Sequence, residues 1–343
     1  MVYVVVTFMN MSWVCEIPPS PLNAKQSTGP GVSPQKENPH PITKESIPIT
    51  FGHEFCGRIL EIPAGSKLKK GDAVMVDPRL YCSSCHFCDA GVTNGCAQWG
   101  FKGLSGGGGG FSEAIAVNES MCYFLPESVP LEYAALLEPL TVAQHALNVS
   151  GVKDYSQKKI LVLGGGPVGF AVCLALLAWG VGKIFVSEPT TKRKAQIEEF
   201  SDVVFNPMEQ KIGDECRALT KGRGVDMVFD CAGILPALEA GMDALCFDGI
   251  YVNVAGWEKP MTLPMGSFML KQITVRASMS YTDEDFRQTV ELFKAGKFKG
   301  YEKMVTDRIL LEDVVKKGFE QLVDHKDDHI KIMVTPRRDA LNS

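Results

Sequence analysis

The sequence predicts an α/β chain of two domains, a small β barrel followed by a doubly wound parallel sheet. Three observations predict it. From Ile47 to Val117 the chain is written in short apolar runs broken by Gly and Pro (IPITFGHEF, CGRILEI, DAVMVDP, FSEAIAV). Beyond residue 143, buried-strand runs (KKILVLG, KIFVSE, VDMVFDCAG, GIYVNVAG) alternate with segments long enough for crossover helices. At the first of those strand-to-helix junctions stands GGGPVG.

The totals agree with two cores. At 343 residues the chain exceeds what one hydrophobic core usually organises. A net charge of -5 offers no basic field for a phosphate backbone, and no long run of Lys and Arg stands outside short pairs such as Lys69-Lys70 and Arg337-Arg338, so no nucleic-acid partner is expected. The apolar opening MVYVVVTFMNMSWVC has no basic flank and falls short of a bilayer span, and it reads as a buried strand rather than a leader or anchor. Eleven cysteines, several at two-residue spacings, suit reduced thiols and metal binding in the cytoplasm better than a disulfide framework. Residues 16 to 46, rich in Pro, Ser, Thr, Asn and Lys, read as loop. LEYAALLEPLTVAQHAL, DEDFRQTVELFKAG and LEDVVKKGFEQLVD have helical periodicity, and HIKIMVTP closes the chain as a strand.

Two stretches carry chemistry. GGGPVG supplies G-x-G-x-x-G at Gly164, Gly166 and Gly169, with Pro167 and Val168 opening the helix FAVCLALLAWG. A strand precedes it and a second strand ends in Glu188, which is the context of a dinucleotide turn and not of an idle glycine loop. The glycines admit a pyrophosphate to the positive end of the helix, and Glu188 can accept from the adenosine ribose hydroxyls. That carboxylate repels a 2′-phosphate and favours NAD over NADP; Lys192 and Arg193, which follow closely, pull the other way.

The second stretch is CSSCHFCDAGVTNGC. Cys82, Cys85, Cys88 and Cys96 can wrap one tetrahedral zinc, and with all four positions filled such a site is closed and structural. Buried thiols and an iron–sulfur cluster are the other readings; cysteines of the first kind rarely cluster this way.

With these motifs in place the chain resembles the zinc-containing medium-chain dehydrogenase/reductase superfamily, most closely its butanediol and sorbitol dehydrogenase branch. The resemblance rests on FGHEFCG (51–57), GDAVMV (71–76), the four-cysteine loop, GLSGGGGGFSE (103–113), LLEPLTV (136–142), GGGPVG, GVDMVFDCAG (224–233) and YVNVAGWEKP (251–260). It implies a GroES-like catalytic domain over 1–143 that lacks the family's first strands, a Rossmann domain over 144–280, and a C-terminal return over 281–343. It implies a catalytic zinc as well, with His53 as ligand, Glu54 as ligand or close neighbour, and Glu138 as a direct or water-mediated ligand. Glu138 has a plainer role open to it, since a carboxylate is favourable at a helix start. The nicotinamide is expected near Asp230–Gly233 and Val254–Ala255.

The expected activity is hydride transfer between NAD and a secondary alcohol, vicinal diol or polyol and its ketone, in a homodimer or homotetramer that pairs through ITVRASMSY. Trp99 and Phe111 are candidates for shaping the substrate cleft.

One stretch departs from the family. Laid against its first ligand segment, CEIPPSPLNA puts Pro18 on the ligand cysteine, Pro21 on a supporting aspartate and Asn23 on the histidine of the proton relay, while Ser20 keeps the relay hydroxyl. Proline offers no metal ligand. Cys15 and Cys56 are nearby thiols that could replace the lost one. Two other readings follow from the loss: a zinc-independent reductase on a larger substrate, and a catalytically silent NAD-binding relative. The missing first strands also predict an unpaired barrel edge.

Overall fold

The computed structural model describes residues 1–11, 34–257 and 260–341. The chain divides into two compact units: Met1–Glu138 with Tyr281–Gly296 and Val305–Ser343, and Pro139–Ser280 with Lys297–Met304.

In chain order the first unit contributes β1 (Val2–Met11), β2 (Phe55–Glu61), β3 (Ala73–Val76), β4 (Arg79–Leu80), β5 (Gly100–Phe101), β6 (Ala114–Val117) and β7 (Cys122–Leu125). The second contributes β8 (Lys159–Leu163), β9 (Lys183–Ser187), β10 (Val203–Phe205), β11 (Val225–Asp230), β12 (Leu245–Asn253) and β13 (Thr274–Ala277). The chain then returns to the first with β14 (Val305–Leu310) and β15 (Lys331–Thr335).

The first sheet runs β14-β15-β1-β2-β3-β7, with β6 also paired to β1. β1 is central. It pairs with β2 along one side, from Tyr3 to Met9, and on the other with β6 over Val2–Val5 and with β15 over Met9–Met11. The expectation of an open edge beside the opening strand is therefore corrected, because β15 comes back from the far end of the chain to complete that side. Val2, Val4 and Val6 alternate into a core with Phe55, Ile59, Val74, Val76, Ile115, Val117, Ile332 and Val334. Burying each such side chain contributes about 1.5–3 kcal/mol, which is how an alternating strand fixes its register.

IPITFGHEF differs from its reading as a strand, since pairing begins only at Phe55. Gly52 has φ +98°, and the segment lies backbone to backbone on the glycine loop. Gly110 N donates to Gly52 O at 2.7 Å and Phe111 N to Phe51 O at 2.9 Å. A Cβ on Gly103 would stand 2.0 Å from Gly52 O, and one on Gly109 would stand 2.3 Å from Thr50 O. Gly103 and Gly109 thus serve close approach, and the approach pins the chain just ahead of His53.

The second unit is a parallel sheet of order β10-β9-β8-β11-β12-β13. Strand order reverses between β8 and β11, and ligands of such sheets bind outside the carboxyl ends of the strands at that point. The helix Pro167–Ala178 follows β8. Its residues Phe170 to Leu176 are at most 1% exposed, which accounts for an apolar run with no polar face. β10, β7 and β14 escaped the sequence reading because they are short or, in β14, mixed in polarity. No helix among the described residues is long and apolar enough to cross a membrane.

Candidate active site and cofactor turn

His53 and Glu54 lie immediately before β2, and Glu138 lies in the first turn of the helix Leu137–Val149. All three are buried, and each offers a ligand atom within 4.8 Å of the others. Their surroundings separate their roles.

The Lys331 ammonium reaches both carboxylate oxygens of Glu54, at 2.7 and 2.6 Å. Both side chains are 1% exposed. A buried carboxylate clasped at both oxygens by an ammonium is a charge-neutral pair rather than an open donor, so the geometry supports the neighbour role for Glu54 over direct ligation. Among the described residues no cation clasps Glu138 in this way. The Tyr281 hydroxyl donates to Glu138 Oε1 at 3.0 Å. Burial first and the Glu54 charge second push the Glu138 carboxyl up to about 8, with Lys331 and the Tyr281 hydroxyl opposing. Burial pushes His53 down to about 4, Glu54 opposing and Lys331 reinforcing. The pair is thus a neutral imidazole beside a carboxyl that burial holds protonated until a cation offsets its charge. That donor set fits a divalent metal such as zinc.

An aromatic chain stands against His53: Phe101 meets its ring edge-on at 5.5 Å, and Trp99 meets Phe101 at 5.6 Å. Phe111 instead packs on Phe319 beside the sheet core. Cys56 is not among the grouped donors, and its thiol, in β2, donates to Leu131 O at 3.2 Å, so nothing here supports it as a replacement ligand. Ser20, Pro18, Pro21, Asn23 and Cys15 lie outside the described residues.

Sequence reading missed Lys331, Tyr281 and Arg79. The signal for Lys331 was present: a lysine inside the apolar run IKIMV is a buried charge that requires a partner. Tyr281 was absorbed into the strand-like ITVRASMSY, whereas pairing stops at Ala277 and Tyr281 is fully buried against Glu138.

Cys82, Cys85, Cys88 and Cys96 converge, all four sulfurs within 4.8 Å of one another. Cys85 and Cys88 Sγ are 3.6 Å apart and Cys82 and Cys88 Sγ 4.0 Å apart. Four thiolates about 2.3 Å from one tetrahedral zinc stand about 3.8 Å from each other, so the cluster has the size of that site. Backbone N–H groups of Cys82 and Gln98 point at Cys96 Sγ, at 3.3 and 3.4 Å, as donors do toward a thiolate.

The cofactor turn joins β8 to the helix Pro167–Ala178. Gly164 has φ +91°, Gly166 is the extended N-cap, and Pro167 takes the first helical position with Val168 after it. A Cβ on Gly169 would lie 1.9 Å from Gly164 O, so helix and strand meet there only through glycine. Glu188 follows β9 directly and folds back on the turn, accepting from Gly165 N at 2.6 Å and Thr190 N at 2.8 Å. Arg193 approaches Gly166, its guanidinium 3.5 Å from where a Cβ would stand. After β11, Asp230 Oδ1 accepts from Ala232 N and Gly233 N at 2.9 and 3.0 Å, and the Tyr251 hydroxyl donates to Asp230 Oδ2. Asp230 therefore shapes this turn from within, fully buried.

Comparisons with known proteins place the chain in a family. Residues 33–127 match the alcohol dehydrogenase GroES-like domain family and residues 167–295 the zinc-binding dehydrogenase family. The chain is 34% identical to (R,R)-butanediol dehydrogenase of Saccharomyces cerevisiae, over 96% of this chain and 90% of that protein. It is 35% identical to the enzyme of that name from Bacillus subtilis, over 88% and 84%. The crystal structure of 2R,3R-butanediol dehydrogenase from Bacillus subtilis superposes with a TM-score of 0.85 at 32% identity, covering 98% of this chain and 92% of that one. On its cysteine cluster, its dinucleotide turn and these relatives, the chain belongs to the zinc-containing medium-chain dehydrogenase/reductase superfamily, in the branch of the butanediol and sorbitol dehydrogenases.

Proposed function

We propose that this dehydrogenase moves a hydride between NAD and a secondary alcohol or vicinal diol, of the 2,3-butanediol type, and the matching ketone. The observation that carries the reading is the buried pair of His53 and Glu138, a neutral imidazole and a cation-seeking carboxylate within 4.8 Å, in a chain that matches butanediol dehydrogenases along most of its length. A zinc held there supplies a Lewis acid for the substrate oxygen. The chain's own residues do the rest. Lys331 neutralises Glu54, so the carboxylate left to face a cation is Glu138. Phe101 fixes the His53 ring from its edge, and with Trp99 offers an apolar wall to the carbon skeleton of a small substrate. The turn at Gly164–Gly169 receives the pyrophosphate, and the Glu188 carboxylate receives the adenosine ribose and disfavours a 2′-phosphate. The four cysteines hold a second, structural zinc.

Zinc content and turnover test this together. Two zincs per chain by mass spectrometry and NADH formation from 2,3-butanediol are expected. One zinc with ketone reduction would shift the function to the zinc-independent reductase, and one zinc with NAD binding and no turnover on diols, polyols or ketones would leave a silent relative.

The assembly we propose is a homodimer through β13. That strand is the end of its sheet and exposed at all four residues, with Val275 46% exposed. Met269 and Leu270 of the preceding helix are each 74% exposed. An uncovered apolar edge is a template for a second strand. Light scattering should give twice the chain mass, falling to one for Val275→Lys; a monomeric native protein would refute the pairing. A reducing compartment such as the cytosol fits the ten thiols, none in a disulfide, among the described residues.

A further inference from the structure

Arg79 stands between the four-cysteine lobe and the His53–Glu138 cluster, and all five of its N–H donors are engaged. Nε donates to Asp77 Oδ1 at 3.0 Å and Nη2 to Asp77 Oδ2 at 2.5 Å. Nη2 also reaches Asp283 Oδ1 at 2.7 Å. Nη1 donates to Thr93 Oγ1 at 2.9 Å and to the Tyr281 carbonyl at 2.6 Å. The guanidinium lies over the Tyr281 ring, 4.6 Å from its centroid.

Apart from Asp77, two residues away along the chain, the partners fall into two groups. Thr93 belongs to the turn between Cys88 and Cys96, and Tyr81, whose hydroxyl donates to Asp283 Oδ2 at 3.1 Å, precedes Cys82. Thr93 Oγ1 donates onward to Asp283 Oδ1 at 3.1 Å. Both flanks of the cysteine lobe are thereby tied to the Arg79–Asp283 pair. On the other side is Tyr281 alone, held at its carbonyl and ring face by Arg79, while its hydroxyl donates to Glu138 Oε1 at 3.0 Å. Tyr281 is fully buried, its ring also against Phe101, and Phe101 is the ring that meets His53. Where the Tyr281 hydroxyl falls is set by a carbonyl and a ring that Arg79 grips, and Arg79 is itself held by Asp77 and by the lobe.

We propose that Tyr281 is a positioning residue that aims Glu138 at the metal, and that Arg79 makes this aim depend on an ordered four-cysteine lobe. The inference rests on the proposed metal at His53 and Glu138. Arg is required at this place because its planar fork spans Asp77, Thr93 and the Tyr281 carbonyl at once; a lysine ammonium, a single point of donors, cannot.

The experiment follows metal leaving the full-length zinc-loaded protein into a colorimetric chelator, with thiol titration in parallel. The phase that uncovers four thiols is the cysteine lobe, and the other is the His53–Glu138 cluster. Tyr281→Phe, which keeps the ring and loses the hydroxyl, should speed release from the cluster about tenfold, the usual scale for losing a hydrogen bond to a metal ligand, and leave the thiol-linked phase unchanged. A merely structural role would move thermal stability without this selectivity. Arg79→Lys should speed the same phase. The double variant should release no faster than the faster single variant, because the two residues act in one line. Wild-type release from Tyr281→Phe overturns the positioning role, and rates that multiply in the double variant overturn the relay through Arg79. A native protein with one zinc per chain would instead remove the proposed metal, and this inference with it, and so is told apart from a two-zinc protein in which Tyr281→Phe is silent.

Discussion

Lys331 Nζ lies 2.7 and 2.6 Å from the two carboxylate oxygens of Glu54, and both side chains are 1% exposed. The pair ties the first residue of β15, near the end of the chain, to the residue that follows His53. A charge so deeply buried is tolerated because its partner is equally buried and the contact is made at both oxygens.

Removing one partner should therefore cost far more than removing both. Lys331→Met leaves the Glu54 carboxylate buried beside an apolar chain, and breaking a buried pair in this way costs about 3–5 kcal/mol. Urea unfolding should show that loss for Lys331→Met and a clearly smaller one for the double variant with Glu54→Gln. Equal losses in the two would mean that the ion pair does not account for the effect of the lysine.

The difference between legible and hidden residues has a physical pattern. The dinucleotide turn and the cysteine lobe were legible because their chemistry is local: Gly164 to Gly169 and Cys82 to Cys96 each carry their whole geometry within one stretch. His53 and Glu138 were legible only through the resemblance, since no spacing rule brings residues so far apart in sequence together. Lys331, Tyr281 and Arg79 were hidden because each acts through a partner from a distant segment: Glu54, Glu138 and Asp283. The strand pattern had the same limit. β1 reads as a strand from alternation alone, but its pairing with β15 closes across nearly the whole chain. IPITFGHEF reads as a strand until the glycine loop is known to lie against its backbone.

Gly169 tests the close approach at the cofactor turn. A Cβ there would meet Gly164 O at 1.9 Å, a backbone atom that cannot rotate away. Gly169→Ala must push the helix from β8, at the roughly 1–3 kcal/mol typical of overpacking, and it displaces the N–H groups that would face the pyrophosphate. Fluorescence titration should show NAD affinity falling about tenfold or more, with the zinc proposed for the four cysteines unaffected because that cluster belongs to the other unit. NAD affinity equal to the native protein's would show that the turn has room the geometry denies.

Glu188 offers the sharpest test of cofactor choice, because its carboxylate has two tasks. It accepts the N–H groups of Gly165 and Thr190, at 2.6 and 2.8 Å, which shapes the turn. Its remaining lone pairs and its charge are what the ribose hydroxyls, or a 2′-phosphate, would meet. Glu188→Gln keeps the side chain's length and one of the two oxygens that accept from the turn, so one of those hydrogen bonds survives, and it removes the charge. Hydrogen bonds to a charged acceptor are worth about 1 kcal/mol more than neutral ones, and repulsion of the 2′-phosphate disappears at the same time. The ratio of kcat/KM for NAD to that for NADP should fall by about tenfold or more, through poorer use of NAD and better use of NADP together. Arg193, already beside Gly166, is placed to assist the phosphate once the carboxylate is neutral. An unchanged ratio would mean that Glu188 serves the turn alone and that another residue selects the cofactor.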